Sequence, residues 1–359
     1  GAYFLGYVFA TPLLVGLTDR VDAKWIFVGG CFVSLVGNLM FALFAKEFWS
    51  ALIGWSIVGA GLAGTYMPGL QILNGRLNKN DRVKAVPWYT SCFGIGTGGS
   101  YMIMGYMIIN YNYQIAAIFG ITTSCLSIMI VSFLVDSCKP MRKASSELRH
   151  PLDFRPVFNR NISLGYIFSY GAHTFELFAY RSWSFALFFY IGSAAQPRMS
   201  IGTITAIISS ITITGMIASI AGAKIAERHL RHKVISLVGI STFIMSLICA
   251  LLLDTIMVAI FALWIYNFFI MLDSGALTAG AVESSEDNSR GAVLAVHSMV
   301  GFFGGSLGGP IIGFILDIFG GESSQQAWFY ALICMGLGSL FVFIVQVSFW
   351  FQKAKKWIS

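Results

Sequence analysis

Four ionisable side chains stand where an apolar chain has no ordinary use for them. His173, Glu176 and Arg181 lie in "YGAHTFELFAYRSW", residues 170–183, and Asp273 lies in "IMLDSGALTAG", residues 270–280. Carboxyl and imidazole groups bind and release protons, and small changes in surroundings move an imidazole across neutrality. A guanidinium stays charged and grips a carboxylate or similar oxyanion through two parallel hydrogen bonds. His173 and Glu176 are three residues apart and share a helix face. The set therefore reads as an acid for carrying a proton beside a base for holding an anion. Each charge at the centre of a membrane helix costs about 2.5–3.5 kcal/mol on insertion scales, so keeping several together favours function over packing.

The elements that must position these groups follow from composition. The chain has 359 residues, 57% hydrophobic and 11% charged, where a soluble domain carries roughly 25% charge. A helix needs about 20 apolar residues to cross a bilayer. Eleven segments qualify, at about 1–17, 25–45, 48–73, 86–110, 115–136, 162–192, 202–225, 234–254, 256–282, 291–319 and 325–351. In hydrocarbon each must satisfy its own backbone, which predicts an all-α integral membrane protein. Continuous apolar runs such as "CLSIMIVSFLV" lack the alternation of a membrane barrel.

Of the 23 Lys and Arg, alternate loops place 20 on one side, Lys46 and Arg198 on the other, and Arg181 within the membrane. By the positive-inside rule the basic loops, the long linker and the C-terminus are cytoplasmic. The net charge of +7 is thus explained by topology rather than by nucleic acid. The six cysteines show no metal-ligand or disulfide spacing and read as packing residues. With the loop holding Arg20 and Lys24 inside, Gly1 starts outside with no basic leader, which predicts a helix upstream.

Residues 137–161, "DSCKPMRKASSELRHPLDFRPVFNR", form the longest polar connection. They divide an N-terminal bundle, 1–136, from a C-terminal bundle, 162–359. "FGIGTGG" from Phe93 and "FGGSLGG" from Phe303 repeat at an offset of 210, and "LTDR" and "IAER", ending at Arg20 and Arg228, at 208. The offset places the counterpart of the helix near 162 before Gly1, giving six helices plus six. Parallel repeats of six are an architecture of secondary transporters.

"GLTDRVDAK", residues 16–24, resembles the signature of the major facilitator superfamily, with Val15 and the Asp22-Ala23 pair departing from it. The resemblance implies two pseudo-symmetric six-helix bundles. It makes Asp19, Arg20 and Lys24 gate residues that latch the cytoplasmic ends, with Glu227 and Arg228 a diverged second copy. "GLAGTYMPGL", "HTFELFAYRSW" and "DSGALTAG" are similar to bacterial permeases labelled cyanate or nitrate transporters. Unlike the superfamily's nitrate porters, segments 1–17 and 202–223 carry no arginine. The resemblance also implies an inner-membrane location and a monomer, and makes the helix holding 170–183 the seventh, one of four that line a central cavity.

On that helix Tyr166, Ser169, Tyr170, His173, Glu176 and Tyr180 fall within about 80° at 100° per residue, with Arg181 flanking them. The expected proton-coupling residues are Glu176, His173 and Asp273. The expected substrate contacts are Arg181, Tyr166, Tyr170, Tyr180, Asn267 and Tyr66, the last beside the helix-kinking Pro68. Asp273 is the natural partner of Arg181 when no anion is bound. The alternative for Asp273 is that it caps a helix broken at Gly275. His297 is open between site and packing.

The function expected is proton-linked alternating-access transport of a small polar solute, most readily an anion. Other readings are a proton-independent facilitator or exchanger, which would survive Glu176→Gln, and a sensor or scaffold that binds without transporting. An enzyme is the least expected class, since no phosphate loop, nucleophile elbow or metal cluster appears, and no cofactor or metal is expected.

Overall fold

The computed structural model describes residues 1–18, 21–77, 79–138, 155–158, 161–284 and 290–358. Among them there is no strand. The helices run α1 (Ala2–Leu17), α2 (Ala23–Phe44), α3 (Phe48–Arg76), α4 (Lys79–Asn110), α5 (Tyr113–Leu134) and the one-turn α6 (Arg155–Phe158). They continue as α7 (Asn161–Ser193), α8 (Ile201–Arg228), α9 (Arg231–Leu251), α10 (Ile256–Leu272), α11 (Ser274–Glu283), α12 (Arg290–Ile318) and α13 (Gln325–Ile358). Setting α6 aside and joining α10 to α11 leaves a helix for each of the eleven apolar segments.

Local sequence sets the ends. Asp22 caps α2 by accepting from the Lys24 amide at 3.0 Å. Asn112 caps α5 through the Ile115 amide at 2.9 Å, and Ser200 caps α8 through the Thr203 amide at 3.1 Å. These short polar side chains satisfy orphan N–H groups of a first turn. Beyond α12 the chain turns at Gly320 and Gly321, whose φ of 109° and 82° suit residues without a Cβ.

Nine helices among the described residues are long and apolar enough to cross a membrane. The described apolar part of α1, Ala2–Leu14, is shorter. At 33 residues α7 has ample length, but it is not among the nine because its buried face carries polar and charged groups. Large apolar side chains point outward, among them Phe133 at 83% and Met257 at 75% exposure, as a hydrocarbon surround would require.

The chain forms two compact units. The N-terminal unit comprises Ala2–Phe93 and Tyr106–Asp153, and the C-terminal unit comprises Gly94–Gly105 and Phe154–Ser359 with Gly1. In the N-terminal unit α3 packs on α1 and α2, and α2 on α5. In the C-terminal unit α7 packs on α12 and α13 around a core that includes Trp328, Phe188, Tyr266 and Leu263. Glycines permit this closeness: a Cβ on Gly308 of α12 would lie 2.6 Å from the Phe175 carbonyl oxygen and the Ala179 nitrogen of α7.

Candidate functional site

The site is built on the face of α7 that turns into the C-terminal unit. His173 is 2% exposed, Glu176 is fully buried and Arg181 is 8% exposed. Opposite His173 the span from Ile256 to Glu283 is interrupted at Asp273, which ends α10 and precedes α11. The break falls at Asp273 rather than Gly275. The Asp273 side chain makes no cap to α11. It faces α7 instead, with Oδ1 2.8 Å from His173 Nδ1, both side chains almost wholly buried. The spacing is that of an ion pair, but the oxygen stands off the hydrogen-bonding axis and His173 Nε2 has no hydrogen-bond partner.

This pairing differs from the expected union of Asp273 with Arg181. Eight residues separate His173 from Arg181 on α7, about 12 Å along the axis at 1.5 Å per residue, so one carboxylate at the level of His173 does not meet both. Arg181 meets Met271 instead, Nη2 to Sδ at 3.9 Å, and its guanidinium carbon lies 5.8 Å from the centre of the Phe178 ring. Its Nε has no partner. The Tyr101 hydroxyl donates to the Arg181 backbone carbonyl at 3.0 Å and fixes the helix there.

Glu176 sits between three helices. Tyr266 of α10 donates to Oε1 at 2.6 Å, and the Ser339 hydroxyl of α13 donates to Oε2. Seven residues along both α7 and α13, Gln346 donates to Ser169 Oγ at 3.0 Å. Glu176 and Ser169 thus face Ser339 and Gln346 in a two-level polar seam inside the unit. Tyr266, Ser339 and Gln346 had escaped sequence reasoning. They are uncharged residues in apolar helices, and the only signal was the seven-residue spacing of Ser339 and Gln346.

The other expected contacts are dispersed. Tyr170 lies near-parallel to both His173 and His297, with ring centres 5.7 and 3.9 Å apart. Tyr180 donates to the Leu263 carbonyl at 3.1 Å within the hydrophobic core. Asn267 donates to the Ile211 carbonyl at 3.0 Å, tying α10 to α8. Tyr166 packs on the Phe349 ring at 6.2 Å. Tyr66 belongs to the N-terminal unit, stacked on Tyr89 at 6.1 Å, and its carbonyl accepts from the Tyr89 hydroxyl at 2.7 Å.

Of the expected gate residues, Asp19 and Arg20 lie outside the described residues. Lys24 is buried and donates to the Ser132 carbonyl at 2.9 Å. Glu227 and Arg228 are exposed at the end of α8. The organising acid in the N-terminal unit is Asp22, which had not been singled out. Its Oδ1 takes the Arg76 guanidinium at 3.2 Å, and its Oδ2 takes the Cys138 amide at 2.7 Å. Burial alone would raise its pKa, but the Lys24 and Cys138 amides and Arg76 outweigh that and hold the carboxyl below its ordinary value. Among the described residues no cluster of three or more His, Cys, Asp or Glu could hold a metal ion.

A sequence search of curated proteins finds no match. Among solved structures, the nucleoside transporter NupG is similar to this chain with a TM-score of 0.70 and 14% identity, covering 97% of this chain and 88% of that one. A variant of the E. coli fucose:proton symporter FucP has a TM-score of 0.63 and 14% identity over 96% of this chain and 88% of that one. At such identities the likeness shows the fold alone. The sequence model of the Major Facilitator Superfamily matches residues 1–309. A polytopic helical chain, with a titratable pair at an interrupted span and a family match over most of its length, belongs to the major facilitator superfamily and is a membrane transporter rather than an enzyme.

Proposed function

We propose that this chain moves a small polar solute, most readily an anion, in a cycle linked to protons. The observation that carries the reading is the His173–Asp273 pair, 2.8 Å apart, buried, and placed where α10 gives way to α11. A proton bound there changes the charge that joins α7 to an interrupted helix, which is how one chemical event biases two arrangements of a bundle. Glu176, one turn further along α7, is the third titratable member. Arg181 supplies the anion-binding group, since its Nε is unpartnered and nothing acidic neutralises it among the contacts described. FucP, similar in fold, is named as a proton symporter, which supports the coupling. By the positive-inside rule the basic loops face the cytoplasm.

A second reading has one observation in its favour. Arg181 rests on a thioether and an aromatic ring, surroundings that also suit an uncharged polar solute. FucP and NupG are named for fucose and nucleosides.

Purified protein in liposomes separates these readings. Uptake of small carboxylates, inorganic oxyanions and neutral polyols is measured with and without an inward proton gradient. The gradient should drive accumulation of an anion by the wild type, Asp273→Asn should lose accumulation but keep exchange at zero gradient, and Arg181→Gln should lose the anion. Accumulation by Asp273→Asn equal to wild type would remove Asp273 from the coupling, and wild-type uptake that does not respond to the gradient would sink proton coupling and leave a facilitator. Uptake confined to neutral solutes would sink the anion assignment.

A further inference from the structure

His297 on α12 has no part in the site so far, yet it is 3% exposed and its surroundings are specific. Its Nε2 lies 3.2 Å from Thr278 Oγ1. The Thr278 hydroxyl donates its own hydrogen to the Ser274 carbonyl at 3.2 Å, so Oγ1 is left to accept from Nε2–H. With the Thr278 hydroxyl turned to Ser274, the contact is satisfied by the tautomer that carries its hydrogen on Nε2, and Nδ1 has no partner in the structure. His173 likewise has one nitrogen engaged, Nδ1 at Asp273, and one unpartnered, Nε2. The Tyr170 ring touches both imidazoles, near-parallel to each at 20° and 17°.

These groups are ordered along the bundle. Thr278 is five residues past Asp273 on α11, and Tyr170 is three residues before His173 on α7. Both steps lead toward the end of the unit where Ser163 meets Ser284 at 3.0 Å and Arg231 pairs with Glu283 at 2.7 Å. His297 thus stands about one helical turn from the His173–Asp273 pair, on the way to that end.

We propose that His297 is a second proton-binding station for the coupled cycle proposed above, and that His173 and His297 are never protonated together. The titratable groups facing His297 are Tyr170 and His173 from α7, with Asp273 behind His173. From α11 it meets Thr278. The neighbouring α6 offers only Arg155, which is exposed, and α13 has no titratable residue between Cys334 and Lys353. His173 has the Asp273 carboxylate beside it while His297 meets Thr278 and Tyr170, within a dry interior where two cations repel strongly. Occupying His297 in place of His173 leaves the total charge unchanged and moves that charge about one turn along the bundle.

The test is nitrogen-15 histidine resonance spectroscopy of the protein in lipid, without solute, titrated from about pH 8 to about pH 5. The proposal predicts a summed charge of one for the two imidazoles in the wild type, with His297 carrying part of it. His173→Gln and His297→Gln should each still take up one proton, and the double variant none. A summed charge of two, from independent groups, or a His297 that stays neutral in the wild type and in His173→Gln, overturns the proposal. The wild-type spectrum decides alone if a variant fails to fold. Failure of proton-driven uptake in liposomes leaves this result standing, so the two readings fail separately.

Discussion

In the C-terminal unit the ionisable side chains of the α7 site are walled in, with Glu176 at 0% and His173 at 2% exposure. In the N-terminal unit the acid and base that pair, Asp22 and Arg76, sit at helix ends with 12% and 20% of their side chains exposed. The same residue types meet opposite physics. A pair at a helix end gains little in water and ties segments together cheaply. A buried group has lost its hydration, so each hydrogen bond it keeps is needed and each one removed is felt in full. The Asp22–Arg76 pair ties segments together near the surface, and the α7 site holds its ionisable groups dry.

The sharpest way to break this contrast is Glu176→Ala. It strands the Tyr266 and Ser339 hydroxyls in a dry interior and leaves a cavity, and should cost about 3–5 kcal/mol, read as a fall in thermal unfolding temperature. Glu176→Gln keeps an acceptor and should cost far less. A loss below about 1 kcal/mol for the alanine variant would mean that the seam is not dry.

Packing in the same unit comes next. Gly308→Ala sets a methyl 2.6 Å from the backbone of α7 and should destabilise by about 1–3 kcal/mol. Wild-type stability would show that α7 and α12 are not in close contact in the folded protein.

The helix-end pairs should respond weakly. Arg76→Gln should cost about 0.2–1 kcal/mol. Because the folded pKa of Asp22 is depressed, its contribution is fully present above about pH 4 and is lost as pH falls through the lower folded value. The stability difference between wild type and Arg76→Gln should therefore shrink in acid. A difference that grows in acid would contradict the pairing. Arg231→Gln should be smallest, at most about 0.5 kcal/mol, since Glu283 is 65% exposed.

The contrast was only partly legible in the sequence. Apolar length located the helices, and the charge anomaly located His173, Glu176, Arg181 and Asp273, because a charge in hydrocarbon is rare enough to be a signal by itself. Which of them pair was not legible. Asp273 and Arg181 are complementary by charge, but the level at which α10 crosses α7 chose His173, and crossing levels depend on tertiary packing. Tyr266, Ser339 and Gln346 were hidden for the same reason, since a hydroxyl or amide in an apolar helix gains meaning only from what it faces. Tyr180 shared the periodicity of the site and Asn267 lay on the segment that carries Asp273, and the fold gave both backbone carbonyls to hold. In the loop before α2 the motif drew attention to Asp19 and Arg20, while Asp22 two residues on is the one that caps a helix and takes Arg76.

The interruption at Asp273 also has the proportions of a lever. α11 has ten residues, about 15 Å at 1.5 Å per residue. A tilt of about 10° at the joint would carry its far end, with Glu283 and the chain leading to α12, through roughly 2.6 Å. The fulcrum of that lever is itself an acid beside an imidazole, so a proton bound there would act at the point where least displacement is needed to produce the most travel.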